Sequence, residues 1–276
     1  MIQEPDTNKR LWLFFLLAYA FSWLFWIPQA LAVNGIAIPA ELSAFLSSPF
    51  NPAAFGPLFA ALVLTVLDEG WKGAIGFLKR GLDFRFKKIW LFPILLLPPV
   101  IFTGATFLSV FTGATPLDSS VLSNPIVAVV APVMILLTAG PLQEEFGWRG
   151  YAFPRLQGRL NALVSSLVLG VLWWLWHLPL VFIPGRFMIS TPLLFGVLLV
   201  EMVLVTILFT WIYNNTGGSI LAAMLFHTSM NWSIWVALPS MKVNLTIIGF
   251  TIALLAVAVA VVLGVFGPSR LSHHSG

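Results

Sequence analysis

The chain has 276 residues, of which 59% are hydrophobic and only 9% are charged, and its mean hydropathy is +0.96. About a quarter of the residues in a soluble globular domain are charged, so this composition excludes an ordinary soluble enzyme as well as a disordered chain. The absence of cysteine excludes disulfides, zinc thiolates, iron–sulfur clusters and thiol catalysis. With 14 basic residues and a net charge of +4, attraction to anionic lipid explains the basic character better than nucleic-acid binding does.

Eight segments are apolar over the roughly 20 residues that a transmembrane helix needs. The sequence therefore predicts an all-α integral membrane protein of about eight transmembrane helices, forming a single membrane domain over residues 1–276. The predicted spans are 11–33, 50–67, 89–112, 125–149, 163–183, 192–213, 218–238 and 243–266.

The distribution of lysine and arginine predicts the orientation, because cytoplasmic loops carry an excess of both. With the N-terminus in the cytoplasm, 12 basic residues lie inside, and only Arg186 and Lys242 lie outside. We therefore predict a multi-pass protein of the plasma membrane with both termini cytoplasmic. The basic, partly amphipathic segment 71–88 is predicted to lie on the inner membrane surface, with a solvated loop as the alternative, and 153–162 is predicted to be a second interfacial piece.

Few ionisable side chains lie within the predicted spans, where each costs about 2.5–3.5 kcal/mol at the bilayer centre. Such residues are candidates for function. They are Glu144, Glu145, Arg149, His177, Glu201 and His227, with Asn231 as a polar neighbour.

The spacing of these residues predicts how some of them pair. Glu145 and Arg149 are four residues apart and are expected to form an ion pair on one helix face. Glu144 points about 100° away around the helix and needs a partner from another span. Counted from the connecting turns, Glu144, His177 and His227 lie at similar depths, which predicts one polar cluster that opens toward the cytoplasmic half of the bilayer.

Two chemistries fit this cluster. Glu144, His177 and His227 are a ligand set for a divalent metal, zinc above all, with a fourth position for an activated water. Without metal, Glu144 is a general base assisted by His177, while His227 and Asn231 donate hydrogen bonds to the oxyanion. Both versions hydrolyse an acyl bond.

Three motifs in order resemble the CAAX-protease and bacteriocin-processing family, the Abi or Rce1-like intramembrane proteases. Its EExxxR motif matches residues 144–149, its FxxxH motif matches 173–177 with Trp173 in place of the usual Phe, and its HxxxN motif matches 227–231. The resemblance implies a catalytic core over 125–235. It also implies cleavage of prenylated CAAX proteins in eukaryotic members, and peptide processing or bacteriocin immunity in bacterial members.

The resemblance implies a role for each polar residue of the three motifs. It implies that Glu144 is the water-activating or metal-binding acid and that His177 and His227 are its partners. It implies that Asn231 stabilises the oxyanion or orients another group of the site. It also implies that Glu145 and Arg149 are supporting residues of the site.

Several alternatives stay open at this point. The expected partners are membrane lipid and a membrane-associated protein or peptide substrate, not nucleic acid. A non-proteolytic immunity factor or scaffold on the same fold is the main rival to a protease, and a transporter with a proton relay is a weaker one. Glu201 is either a partner of His227 or a helix-packing residue.

Overall fold

A computed structural model describes residues 7–48, 50–115, 118, 120–184, 192–238 and 244–273, so Arg186 and Lys242 lie outside the described residues. Within those ranges the chain folds into helices joined by short turns, as predicted. The α-helices are α1 (Thr7–Val33), α2 (Ala40–Ser47), α3 (Gly56–Lys79), α4 (Leu91–Phe111), α5 (Pro125–Thr138), α6 (Pro141–Gly147), α7 (Phe153–Gln157), α8 (Ala162–Trp176), α9 (Pro192–Asn215), α10 (Ile220–Ala237) and α11 (Leu245–Phe266).

Seven helical segments of the described chain are long and apolar enough to cross a membrane, and a bent pair makes an eighth if it is counted as one span. This agrees with the predicted multi-pass fold of about eight helices. The seven segments are Asn8–Val33, Pro52–Leu82, Lys88–Phe111, Ala162–Phe182, Leu193–Asn215, Ile220–Ala237 and Leu245–Phe266.

The predicted fourth span, 125–149, is not one continuous helix, and that prediction was wrong. The chain breaks after α5 at Ala139 and Gly140, and the two parts of the pair are bent by 41°. Gly140 has φ +106°, a conformation that residues with a side chain rarely adopt, and Pro141 then opens α6. No residue of α5 is buried, whereas six of the seven residues of α6 are.

The second span is longer than predicted, because α3 continues to Lys79 through a kink at Gly70. Gly70 has φ +70° and ψ −175°, which is not a helical conformation, so α3 consists of two helical parts that meet at a break at Gly70. The segment 71–88, predicted as an interfacial piece, begins directly after this break with the second helical part of α3 and continues through the turn Arg80–Leu82.

Contacts between distant segments show which helix ends lie together. Arg10 at the start of α1 forms an ion pair with Asp68 near the kink in α3. Ser269 and Arg270 accept hydrogen bonds from Ala162 and Asn214, at the start of α8 and the end of α9. Helix α1 runs alongside α8 in the same direction, because Tyr19 and Trp23 donate hydrogen bonds to the carbonyls of Leu172 and Trp176. The starts of α1 and α8 therefore lie at one end of the bundle, together with the described C-terminal end of the chain.

Candidate active site

The break between α5 and α6 is held by side chains that bind the backbone groups it leaves exposed. Gln143 accepts a hydrogen bond from the Gly140 amide at 3.1 Å, and its own amide donates to the Leu137 carbonyl at 2.9 Å. Asn231 of α10 donates to the Ala139 carbonyl at 2.8 Å. Because unpaired backbone groups are costly within a membrane, these bonds stabilise the irregular backbone just ahead of the two glutamates.

Glu145 lies at the centre of a buried charge cluster. Arg149 donates to its Oε1 at 3.0 Å, so the predicted ion pair is present, and both side chains are buried. The same oxygen accepts a hydrogen bond of 2.8 Å from Nδ1 of His227. This bond places the ring proton on Nδ1 and leaves Nε2 of His227 with its lone pair when the ring is neutral.

Aromatic rings enclose the guanidinium of Arg149. Its Cζ lies 3.9 Å from the ring centre of Phe209 and 4.7 Å from that of Trp173. Two buried atoms of the ion pair, Arg149 Nη2 and Glu145 Oε2, have no hydrogen-bond partner among the described residues. The cation–π contacts therefore supply part of the stabilisation that a second hydrogen bond would give.

The two oxygens of Glu144 have different surroundings. Oε2 accepts a 2.6 Å hydrogen bond from the Trp173 indole of α8 and a longer one, 3.3 Å, from Trp148. Oε1 has no hydrogen-bond partner within the part of the chain that the structure describes. The partner from another span that Glu144 was predicted to need is thus the indole N–H of Trp173.

His177 is joined to this group through Trp173. Its Nδ1 lies 2.8 Å from the Trp173 carbonyl, which can only accept, so Nδ1 carries a proton. The Trp173 ring lies 5.9 Å from the His177 ring and 5.5 Å from the His227 ring. His177 directly follows the last residue of α8, so the full length of α8 separates His177 from the turn before Ala162.

The predicted metal ligands, Glu144, His177 and His227, are close to one another but do not form a metal site as arranged. Their donor chemistry suits zinc, since carboxylate oxygens and imidazole nitrogens are both common zinc ligands. Nevertheless, no three His, Cys, Asp or Glu side chains of the described residues converge closely enough to hold an ion.

Within the described residues, neither Asn231 nor Glu201 forms a hydrogen bond to Glu144 or His227. The amide of Asn231 is engaged with the Ala139 carbonyl, which makes it a support for the break. Glu201 is not brought to His227, whose Nδ1 is occupied by Glu145, and it forms no hydrogen bond within the described residues. Phe209, which packs against the His227 ring at 5.6 Å, lies two helical turns from Glu201 on α9.

Sequence reasoning missed the part played by tryptophan. Trp173 contacts Glu144, Arg149 and both histidines, and Trp148 adds a second indole N–H. The one available signal was the four-residue spacing of Trp173 and His177, which places their side chains on the same helix face.

The chain is similar in sequence to known CAAX prenyl endopeptidases. The Type II CAAX prenyl endopeptidase Rce1-like family matches residues 124–233, which include Glu144, His177 and His227. The chain is 24% identical over 237 residues to a protein named CAAX prenyl protease 2 from Methanococcus maripaludis, covering 84% of this chain and 85% of the relative. Both findings support an intramembrane endopeptidase activity. Residues 124–233 are thus similar to Rce1-like endopeptidases, in agreement with the family resemblance indicated by the three motifs.

Proposed function

We propose that this chain hydrolyses a peptide bond near the C-terminus of a membrane-associated CAAX-like protein or peptide, using a water activated by Glu144. The observation that carries this proposal is the asymmetry of the Glu144 carboxylate. Two indoles hold Oε2, while Oε1 lies open beside His227. A carboxylate fixed at one oxygen and open at the other is positioned to bind a water and accept its proton.

The reaction that follows from this arrangement is an acyl transfer to water. Glu144 takes one proton of the water as its oxygen attacks the scissile carbonyl carbon, which forms a tetrahedral intermediate. The carbon–nitrogen bond then breaks, and the leaving amine receives a proton. The products are a free carboxylate and a free amine, so one water is consumed for each bond cleaved.

His227 is placed to assist at this step. Glu145 orients its ring and stabilises it when it carries a positive charge, and Arg149 balances the charge of Glu145. The Nε2 of His227 can therefore take up a proton and donate it to the leaving amine or to the oxyanion. Asn231 has a positioning role in this scheme, because its amide holds the backbone just before α6.

Gly140 leaves room for this chemistry. A Cβ at residue 140 would lie 2.6 Å from Glu144 Oε1 and 3.5 Å from His227 Cε1. The open carboxylate oxygen and the edge of the imidazole ring therefore face the same small space. A water in that space can contact both.

The test uses purified protein in lipid nanodiscs with a farnesylated CAAX peptide as substrate. The parent is expected to release the C-terminal tripeptide. Glu144→Gln should abolish release, whereas Glu201→Gln, the same change at a membrane-embedded glutamate outside the site, should not. An unprenylated copy of the peptide tests whether the lipid group is required. If Glu144→Gln cleaves as fast as the parent, Glu144 is not the base. If the parent cleaves nothing and Glu144→Ala keeps the cellular phenotype, an immunity or scaffold function is favoured.

The proposed orientation puts the site within reach of the cytoplasmic side. His227 lies eight residues into the membrane from Ser219, which caps α10, or about 12 Å along the helix. Topology reporters fused at Lys88 and at Gly276 should both report the cytoplasm. An external signal at either position would reverse the assignment.

A further inference from the structure

Residues 71–90, which we call the basic arm, form an exposed cationic surface that runs from the kink at Gly70 to the first residues of the third membrane-crossing segment. The arm starts three residues after Asp68, which pairs with Arg10, so it begins at the bundle end shared by the two described chain ends. Six of the 14 basic residues of the protein lie here, and all six are exposed: Lys72, Lys79, Arg80, Arg85, Lys87 and Lys88.

The basic arm has two distinct faces. Phe77, Gly81 and Phe86 are buried against the bundle. The outer face presents large apolar side chains among the cations, with Trp71 76% exposed and Leu82 81% exposed. Apolar groups interleaved with lysine and arginine are the pattern of a segment that lies at the headgroup level of a membrane.

One of these cations, Arg85, is already neutralised within the arm. Arg85 makes two side-chain hydrogen bonds to Asp83, which lower the pKa of Asp83 to about 2, so this pair stays ionised and cancels its own charge. Lys88 bonds to the Phe84 carbonyl and lies over the Phe84 ring. Lys72, Lys79 and Lys87 have no salt bridge within the described residues, so their charge is available to a ligand.

The buried face of the basic arm contacts the helix that carries Glu144 and Glu145. The Phe77 ring lies 5.5 Å from the ring of Phe146, the residue directly after Glu145. A Cβ on Gly81 would lie only 2.2 Å from Phe146 Cζ, so the arm and Phe146 are in direct contact. The same side of α6 also meets α3 at Gly147, where a Cβ would lie 2.4 Å from Pro57.

We propose that the basic arm binds the headgroups of anionic phospholipids and, through the contact of Phe77 with Phe146, holds α6 in its active position. Charge complementarity identifies the ligand, since unpaired lysines and exposed apolar groups at a membrane surface match anionic lipid. A bilayer without anionic lipid then leaves the arm, and with it α6, more mobile. This inference does not depend on the proposed substrate.

The experiment measures backbone hydrogen exchange of the full chain in nanodiscs of phosphatidylcholine alone and with increasing phosphatidylglycerol. Exchange in residues 71–82 and 141–149 is expected to slow as the anionic lipid increases, and added salt should weaken the effect. Lys72→Gln with Lys79→Gln should shift the midpoint of this response, because each cation contributes roughly fivefold to affinity for an anionic surface. Arg159→Gln with Arg270→Gln, exposed and at the same end of the bundle, is the charge-matched control.

A second variant separates lipid binding from its transmission. Phe77→Leu should keep the lipid response of residues 71–82 but reduce the response of residues 141–149. Equal exchange in both lipids, or an equal shift in the control variant, would overturn lipid binding by the arm. An undiminished α6 response in Phe77→Leu would overturn the role of the Phe77–Phe146 contact.

Discussion

The indole of Trp173 donates a 2.6 Å hydrogen bond to Oε2 of Glu144, across 29 residues of sequence and between two helices. This bond fixes one carboxylate oxygen and leaves the other available. It also brings α8 against α6, so the aromatic residue that begins the second motif positions the acid that begins the first.

Replacement of Trp173 by Phe should lower activity more than it lowers stability. The substitution removes a hydrogen bond to a charged group, worth about 1.5–3 kcal/mol, and should slow hydrolysis on the order of tenfold to a hundredfold. Trp174→Phe is the matched control, because that indole bonds to the Phe195 carbonyl, away from Glu144. Steady-state cleavage and thermal unfolding of both variants are the measurements. Equal activity in the two variants would show that the Trp173 bond does not act on Glu144.

Gly140→Ala should inactivate the protein through a direct clash. The new methyl group would lie 2.6 Å from Glu144 Oε1, in a backbone conformation that already disfavours a side chain. Gly35→Ala is a suitable control, since Gly35 has φ +91° but its new methyl group would meet no atom within 4 Å. Both variants should lose some stability, and only Gly140→Ala should lose cleavage. A matching loss of activity in Gly35→Ala would attribute the effect to backbone strain alone.

The ion pair between Glu145 and Arg149 should show strong coupling in a double-mutant cycle. Glu145→Gln and Arg149→Gln each leave a buried charge without its partner, at a cost of about 3–5 kcal/mol, and should reduce folded yield and activity. The double variant should recover part of the yield but not the activity, because His227 also loses the carboxylate that orients it. The measurements are yield of monodisperse protein and unfolding temperature. Two single variants that unfold like the parent would contradict the importance of this buried pair.

Chelation distinguishes the two chemistries that the sequence left open. If the proposed glutamate mechanism is right, exhaustive treatment with a chelator leaves hydrolysis unchanged, while Glu144→Gln still abolishes it. If the predicted zinc site forms in the working enzyme, chelation stops hydrolysis, added zinc restores it, and Glu144→Gln, His177→Ala and His227→Ala each lose bound metal. Metal content of the purified protein gives a readout that does not depend on the substrate.

The sequence predicted the broad fold and the ion pair because both rest on local patterns. Hydropathy identified the membrane helices, and the four-residue spacing identified Glu145 and Arg149. Hydropathy could not predict the break at Gly140, because Ala139, Gly140 and Pro141 leave an apolar average almost unchanged. Only the backbone preferences of Gly and Pro indicate that a helix ends there.

The partners of the acidic residues could not be predicted for a different reason. Trp173 and Trp148 count as apolar in a search for ionisable groups, although each carries an N–H donor. Depth counting placed His227 near Glu144 but did not show which glutamate its ring would contact. That contact depends on helix rotation and tilt, which packing against neighbouring helices decides.

The break at Gly140 also divides one apolar stretch into two parts that tolerate replacement to very different degrees. Helix α5 contains no buried residue, so most of its side chains can be replaced with less effect on the packing around Glu144. On the buried side, almost every side chain of α6 meets another helix, so few replacements fit. A helix that tolerates replacement thus lies within a few residues of one that does not, so substitutions in this segment should accumulate in α5 and be rare in α6.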